Sequence, residues 1–311
     1  MTSAAEVLRV NAASIEFQNP LLLAAGTAAY GRELGGVMDL ESLGGLVTKA
    51  VSPEARKGAP APRVAEFEGG MINAVGLANP GLQSVREEDI PWLDSNVRDA
   101  RVIVNVVGAV LEDFAVVVEG LSGFKRVDAF ELNVSCPNTR AGGMEFGADA
   151  ATLTSLIQRA RTATQKPLFV KLSPTLPAIA DTARAAVDAG ADGISLVNTI
   201  PGLVIDVETR RPALGFGTGG VSGPGLLPVG VLAVWKVSKA VSVPLIGVGG
   251  ITRGTDAIQY LMAGASLVAM GTAALRDPRA PGRVISEMRE WCERHHVKSL
   301  TEVVGSLEWQ S

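Results

Sequence analysis

From residue 101 onward this 311-residue chain alternates short apolar runs with longer stretches of helical character, and few folds accommodate that pattern. The runs cover residues 101–107, 129–134, 168–172, 193–197, 244–248 and 267–270, rich in Val, Leu and Ile and bounded by turn residues. Stretches of ten or more residues between them, 152–164 and 179–189 among them, are predicted helices. Strands that read as continuous apolar runs are buried on both faces. Repeated β–α units then give a parallel sheet covered by helices. Two earlier runs, 21–25 and 45–47, complete a set that favours a closed (β/α)8 TIM barrel over an open sheet. Ahead of them, 7–10 and 14–17 read as a hairpin around Asn11, and a helix is expected over 33–40. Residues 51–100 form a long excursion rich in Pro and Gly, and no linker interrupts the chain, so 1–311 reads as one domain with inserted loops at the mouth.

Polar residues gather at the ends of these runs. Lys49, Asn105, Asn133, Lys171, Asn198-Thr199, Gly249-Gly250 and Gly271-Thr272 each fall at or just past the C-terminal end of a predicted strand. In a barrel those ends converge on one mouth, where active sites are built. A single Asn there is equally a turn former; the recurrence marks a site. A lysine ending a buried strand needs a partner, either an internal acid or a phosphate, carboxylate or electron-rich ring.

Glycines at 249–250 and 271 let backbone N–H groups approach an anion, each ahead of a helix, where barrels commonly hold a phosphate. The alternative is a pair of tight turns. Gly215-Phe216-Gly217-Thr218-Gly219-Gly220 matches G-x-G-x-x-G by letter but does not join a strand to a helix, which the dinucleotide fingerprint requires. It reads as a flexible insertion that returns Ser222-Gly223 to the mouth.

Composition narrows the chemistry. The chain has two histidines, the adjacent His295 and His296 near the C-terminal end, which disfavours a Ser–His–Asp triad or a His-based metal site. A net charge of −4 without a Lys/Arg cluster argues against nucleic acid. No apolar run spans a bilayer and no signal segment is evident, so a reduced cytoplasm is the expected setting. Two cysteines are too few for a four-thiolate iron–sulfur cluster. Cys292 sits in an amphipathic helix and reads as packing. Cys136 lies in Asn133-Val134-Ser135-Cys136-Pro137-Asn138-Thr139, where Pro137 keeps it out of helical dihedrals and Gly142-Gly143 let the loop fold back as a lid. It is the first candidate for acid–base or nucleophilic work.

Taken together, Asn133-x-Ser135-Cys136-Pro137-Asn138, Thr48-Lys49-Ala50, Asn73-Ala74-Val75-Gly76-Leu77-x-Asn79-Pro80-Gly81, Val170-Lys171-Leu172, Val197-Asn198-Thr199 and Gly249-Gly250 resemble the dihydroorotate dehydrogenase family, in register from about Leu8 to Val303. Class 2 members carry a membrane-associating extension and a serine where Cys136 stands. The 76–81 segment and Gly142-Gly143 with Phe146-Gly147 look most like class 1B, the catalytic subunit type that delivers electrons to NAD.

The resemblance implies an FMN-binding barrel oxidising dihydroorotate to orotate in pyrimidine synthesis. Cys136 is then the base for the C5 proton. Lys49, Asn73, Ala74, Val75, Gly76, Leu77, Asn133, Asn138, Asn198 and Thr199 are the implied substrate contacts. Ala25, Gly26, Lys49, Ala50, Asn105, Asn133, Lys171, Val197, Gly223, Gly249, Gly250, Gly271 and Thr272 are the implied FMN contacts, and no metal site is implied. FAD and a [2Fe–2S] cluster belong on a partner subunit, in a heterotetramer built on a homodimer of this chain. Two departures stand out: Ala25 replaces a serine common among relatives, and 27–30 differs from the usual segment. Fumarate-linked class 1A chemistry, a dihydropyrimidine-type reductase, a non-catalytic flavin subunit and a flavin-free phosphate-binding barrel are the rival readings.

Overall fold

Short strands buried on both faces need partners on both edges, and closing the sheet supplies them. A computed structural model describes residues 6–135, 137–138 and 144–309. In chain order, strands one to eight are Leu21–Leu23, Gly45–Val47, Arg101–Val106, Ala129–Asn133, Leu168–Leu172, Gly193–Leu196, Leu245–Val248 and Leu267–Met270. All are parallel, each bonds to the next, and strand eight closes on strand one with Met270 opposite Leu23. The register sets Lys171 level with Asn133 on one side and Ser195 on the other. The predicted barrel is therefore the observed fold, with strand ends within two residues of expectation.

Helices cover the sheet where acids cap their starts. Asp149 accepts from Thr152 N at 2.8 Å and opens Ala150–Thr162, which buries Leu153, Leu156, Ile157 and Ala160 as one stripe. Asp113 accepts from Ala109 N at 2.7 Å and Asp256 from Thr252 N at 2.8 Å, starting Leu111–Ser122 and Gly254–Met262. The core is large: Phe114, Phe130, Phe146 and Phe169 are all fully buried, and each such side chain contributes about 1.5–3 kcal/mol by leaving water. Gly193 makes room for one of them, since a Cβ there would stand 2.4 Å from the Phe169 ring. Among the described residues, no helix is long and apolar enough to cross a membrane.

Three expectations need correction. The N-terminal hairpin pairs Val10–Ala12 with Ile15–Phe17, and its turn lies at Ala13-Ser14 rather than around Asn11. Both turn residues have positive φ, 49° and 63°, the primed geometry that matches strand twist, in a sequence without the Asn-Gly signature. No helix forms over 33–40; the chain makes separate turns, and Gly35-Gly36 is a poor helix interior. The glycine-rich insertion is paired rather than loose. Gly219–Ser222 lies between Ile200–Gly202 and Gly70–Asn73, and Val64–Phe67 adds a fourth antiparallel strand. This small sheet roofs the barrel mouth.

Candidate active site

Under the roof lies a cavity of about 1470 Å³, walled by the C-terminal ends of the barrel strands. Lys49, Asn105, Asn133, Lys171, Val197, Asn198 and Thr199 line one part of it. Ala25, Gly26, Gly223, Gly249, Gly250, Gly271 and Thr272 line another, and Ala50, Asn73, Val75 and Leu77 complete the set. Two sequence candidates are not in this wall. Ala74 turns its N–H to the Arg63 carbonyl, and Gly76, at φ +68°, packs on Gly58 and Ala59. Cys136 and Gly142-Gly143 lie outside the described residues, and Asn138 is described through its backbone pairing with Met144.

The amides are not free to present either end. Asn105 is buried, and its Nδ2 donates to Glu131 Oε1 at 2.8 Å; Ser195 Oγ donates to Glu131 Oε2 at 2.7 Å. Glu131 is the acceptor in both bonds, so Asn105 turns its nitrogen to the acid and its oxygen has no partner among the described residues. Asn133 is the opposite case: its Oδ1 accepts from Ser135 N and from Asn198 Nδ2 at 3.2 Å, and among the described residues its NH2 has no acceptor. Asn73 spends an N–H on Gly220 O at 3.2 Å, and among the described residues its oxygen has no donor. Asn198 Oδ1 accepts from Thr199 N at 2.9 Å. The result is a fixed arrangement of acceptors and donors.

Lys171 is 6% exposed, and among the described residues neither it nor Lys49 has an ion-pair partner. The internal salt bridge that the sequence left open is not what these lysines make there. A cation this buried calls for negative charge from a ligand. Lys49 is held by its own N–H on Ala29 O at 2.7 Å, and Tyr30 Oη donates to Ala50 O at 2.9 Å. Burial, with Asp89 and Glu33 nearby, pushes the Tyr30 phenol far up, so it remains a donor. The departing 27–30 segment thus supports the Lys49-Ala50 turn.

The glycine wall offers backbone instead. Gly223, Gly249 and Gly250 have φ of +115°, +121° and +74°. The strand-seven loop does not run straight into a helix: Gly254–Met262 starts four residues on, and Asp256 already accepts from Thr252 N and Arg253 N. Thr272 Oγ1 donates to Ser222 Oγ at 2.8 Å, joining roof to barrel. A buried lysine without an ion-pair partner among the described residues, and glycine loops on the same cavity, fit an anionic cofactor.

Sequence reasoning missed several residues. Glu131 sat in the predicted fourth strand without a role, although an acid inside an apolar run was the signal. Ser195 and the roof residues Phe67 to Met71 carried no motif, whereas Ser222 reaches the mouth as the sequence reading expected. Glu145, paired by backbone with Pro137, has a carboxyl pushed up by burial and partly drawn back by the Ser173 hydroxyl.

The family model for dihydroorotate dehydrogenase matches residues 7–291. The chain belongs to that family. It is 44% identical over 97% of its length, and 98% of the relative's, to a protein of Pelobacter propionicus named dihydroorotate dehydrogenase B (NAD(+)), catalytic subunit. A protein of the same name from Alkaliphilus metalliredigens is 45% identical over 96% of this chain and 98% of its own. One from Solibacter usitatus, 45% identical over 95% of this chain and 96% of its own, is named putative dihydroorotate dehydrogenase A (fumarate). As a dihydroorotate dehydrogenase the chain is an oxidoreductase of pyrimidine synthesis, and its likeness to class 1B agrees with the resemblance drawn from its motifs.

Proposed function

We propose that this dihydroorotate dehydrogenase binds FMN along the glycine wall, takes the C5 proton of dihydroorotate with Cys136, and passes electrons to NAD through a second subunit. The observation that carries the reading is the meeting of Lys49, Asn73, Asn133, Lys171, Asn198 and the glycine loops on one cavity. FMN, when bound, supplies an acceptor for the C6 hydride. Lys171 would offset negative charge on the cofactor ring, and Asn105 would meet that ring through its free oxygen. Gly223, Gly249, Gly250, Gly271 and Thr272 would hold the phosphate and ribityl chain. Lys49 would neutralise the substrate carboxylate. Asn73 offers an acceptor and Asn133 a donor, which suits the alternating N–H and C=O edge of a pyrimidine. Asn138 and Thr199 would complete that edge.

A free thiol titrates near about 8.5, so with Cys136 as the base turnover is expected to rise with pH through that region. The chain's two cysteines cannot build a four-thiolate cluster, so NAD reduction would need a partner carrying FAD and [2Fe–2S]. The names of the type B relatives, each a catalytic subunit, support that assembly. The type A name of the Solibacter protein favours fumarate as the second candidate acceptor.

The test is the visible spectrum of the purified chain before and after anaerobic dihydroorotate. A flavin absorbance that bleaches in one turnover supports the proposal. A colourless protein that takes up no FMN overturns it. Rapid NAD reduction by the chain alone would remove the partner, and fast fumarate turnover would favour the type A acceptor.

A further inference from the structure

Gly249 and Gly250 form a peptide that nothing in their own chemistry orients, because glycine tolerates either sign of φ at little cost. What orients it comes from below. Tyr260, on the helix Gly254–Met262, is fully buried, and its Oη donates to Gly249 O at 2.8 Å. Glycines carve the slot for this side chain: a Cβ on Gly247 would stand 2.3 Å from Tyr260 Cδ1, and one on Gly230 would stand 1.9 Å from Oη. In a trans peptide the C=O and the following N–H point in opposite directions. With the Gly249 carbonyl drawn toward Tyr260, the Gly250 N–H faces away from it. Gly250 lines the cavity, and its N–H has no acceptor among the described residues.

We infer that Tyr260 is a positioning residue for the cofactor phosphate: its hydroxyl fixes the Gly249–Gly250 peptide so that the Gly250 N–H is presented to the anion. The inference rests on the reading of this cavity as an FMN site. Burial, with Asp256 adding to it, pushes the phenol far above its ordinary range, so the donor persists at every working pH. Tyr260 does not line the cavity, so it acts through the backbone alone.

The test compares FMN with riboflavin, which lacks the phosphate, by titrating flavin-free full-length chain and following flavin fluorescence. Wild type is expected to prefer FMN. Tyr260→Phe keeps the ring and removes the hydroxyl. It is expected to weaken FMN by roughly ten- to hundredfold, the loss of one hydrogen bond to a charged group, and to leave riboflavin unchanged. Gly230→Ala, which crowds the hydroxyl while keeping the tyrosine, is expected to give the same selective loss. Equal loss of both flavins in these variants would make Tyr260 an ordinary packing residue and overturn the inference, as would an unchanged preference for FMN. Failure of the wild type to bind FMN would instead bring down the cofactor reading itself, and this inference with it.

Discussion

The two walls of the cavity are built from different materials. The wall on strands two to six presents side chains, namely Lys49, Asn105, Asn133, Lys171 and Asn198, and its amides are held by side-chain hydrogen bonds, Asn105 to Glu131 and Asn198 to Asn133. The wall on strands seven and eight presents backbone at Gly249, Gly250 and Gly271, and it is held from behind by Tyr260 and from above by Ser222. The first wall suits charge and donor–acceptor matching, where a substitution alters chemistry. The second suits close approach to an anion, where a substitution alters space. A change on the first wall should therefore strike how substrate and cofactor ring are matched, and a change on the second should strike retention of the cofactor through its phosphate.

The largest effect is expected at Cys136. Cys136→Ala should keep FMN and orotate yet lose about 10²- to 10⁴-fold in turnover, the usual worth of a positioned base. Steady-state rates with a dye acceptor, set beside flavin content, would measure it. A variant running at the wild-type rate would take proton transfer away from this residue. Gly250→Ala should do the reverse. Its Cβ would meet Leu227 N at 2.4 Å on a backbone with φ +74°, and both the neighbour and the conformation resist. Loss of flavin on gel filtration is expected, with about 1–3 kcal/mol of destabilisation by urea. Should the variant retain flavin normally, the backbone wall would be more forgiving than this contrast supposes.

Asn105→Asp probes how the side-chain wall is held. It replaces a donor with a second carboxyl against Glu131, where Nδ2 now sits 2.8 Å from Oε1. One carboxyl must then keep a proton. A fall of about 1–3 kcal/mol in stability is expected, with weaker flavin binding, and the destabilisation should ease as pH is lowered.

The smallest effect lies away from both walls. Asp89 is pushed up to about 6 by burial, against the pull of Arg32. Its unfolded value is near 3.8, so the folded chain binds more protons between these values, and its contribution to stability falls as pH rises through that window. Asp89→Asn should flatten this component of a urea midpoint measured from pH 4 to 7, with turnover unchanged.

How much of this was readable beforehand also divides along the walls. Lys171 and Asn133 announced themselves as polar endings of apolar runs, and the alternation of strands and helices put both at one mouth. Gly249 and Gly250 announced a cradle but not its orientation, because the partner that orients it, Tyr260, reads as a plain helix residue. The roof was illegible for a related reason. Gly219–Ser222 has the composition of a loose loop, and only pairing with Gly70–Asn73, about 150 residues earlier, makes it a strand. The hairpin turn at Ala13-Ser14 escaped because its positive φ values fall on residues that seldom adopt them.

The triad Asn105–Glu131–Ser195 bridges strands three, four and six inside the barrel. Its members are one unit of change: altering any one alone strands a buried polar atom, whereas exchanging all three for apolar side chains of like volume would leave the fold standing. Such a triple replacement would yield a stable barrel that no longer dictates which end of an amide its ligand meets. Drift at these positions should thus be concerted, and a sequence carrying only one of the three exchanges should be found in a chain that has repaired the loss elsewhere.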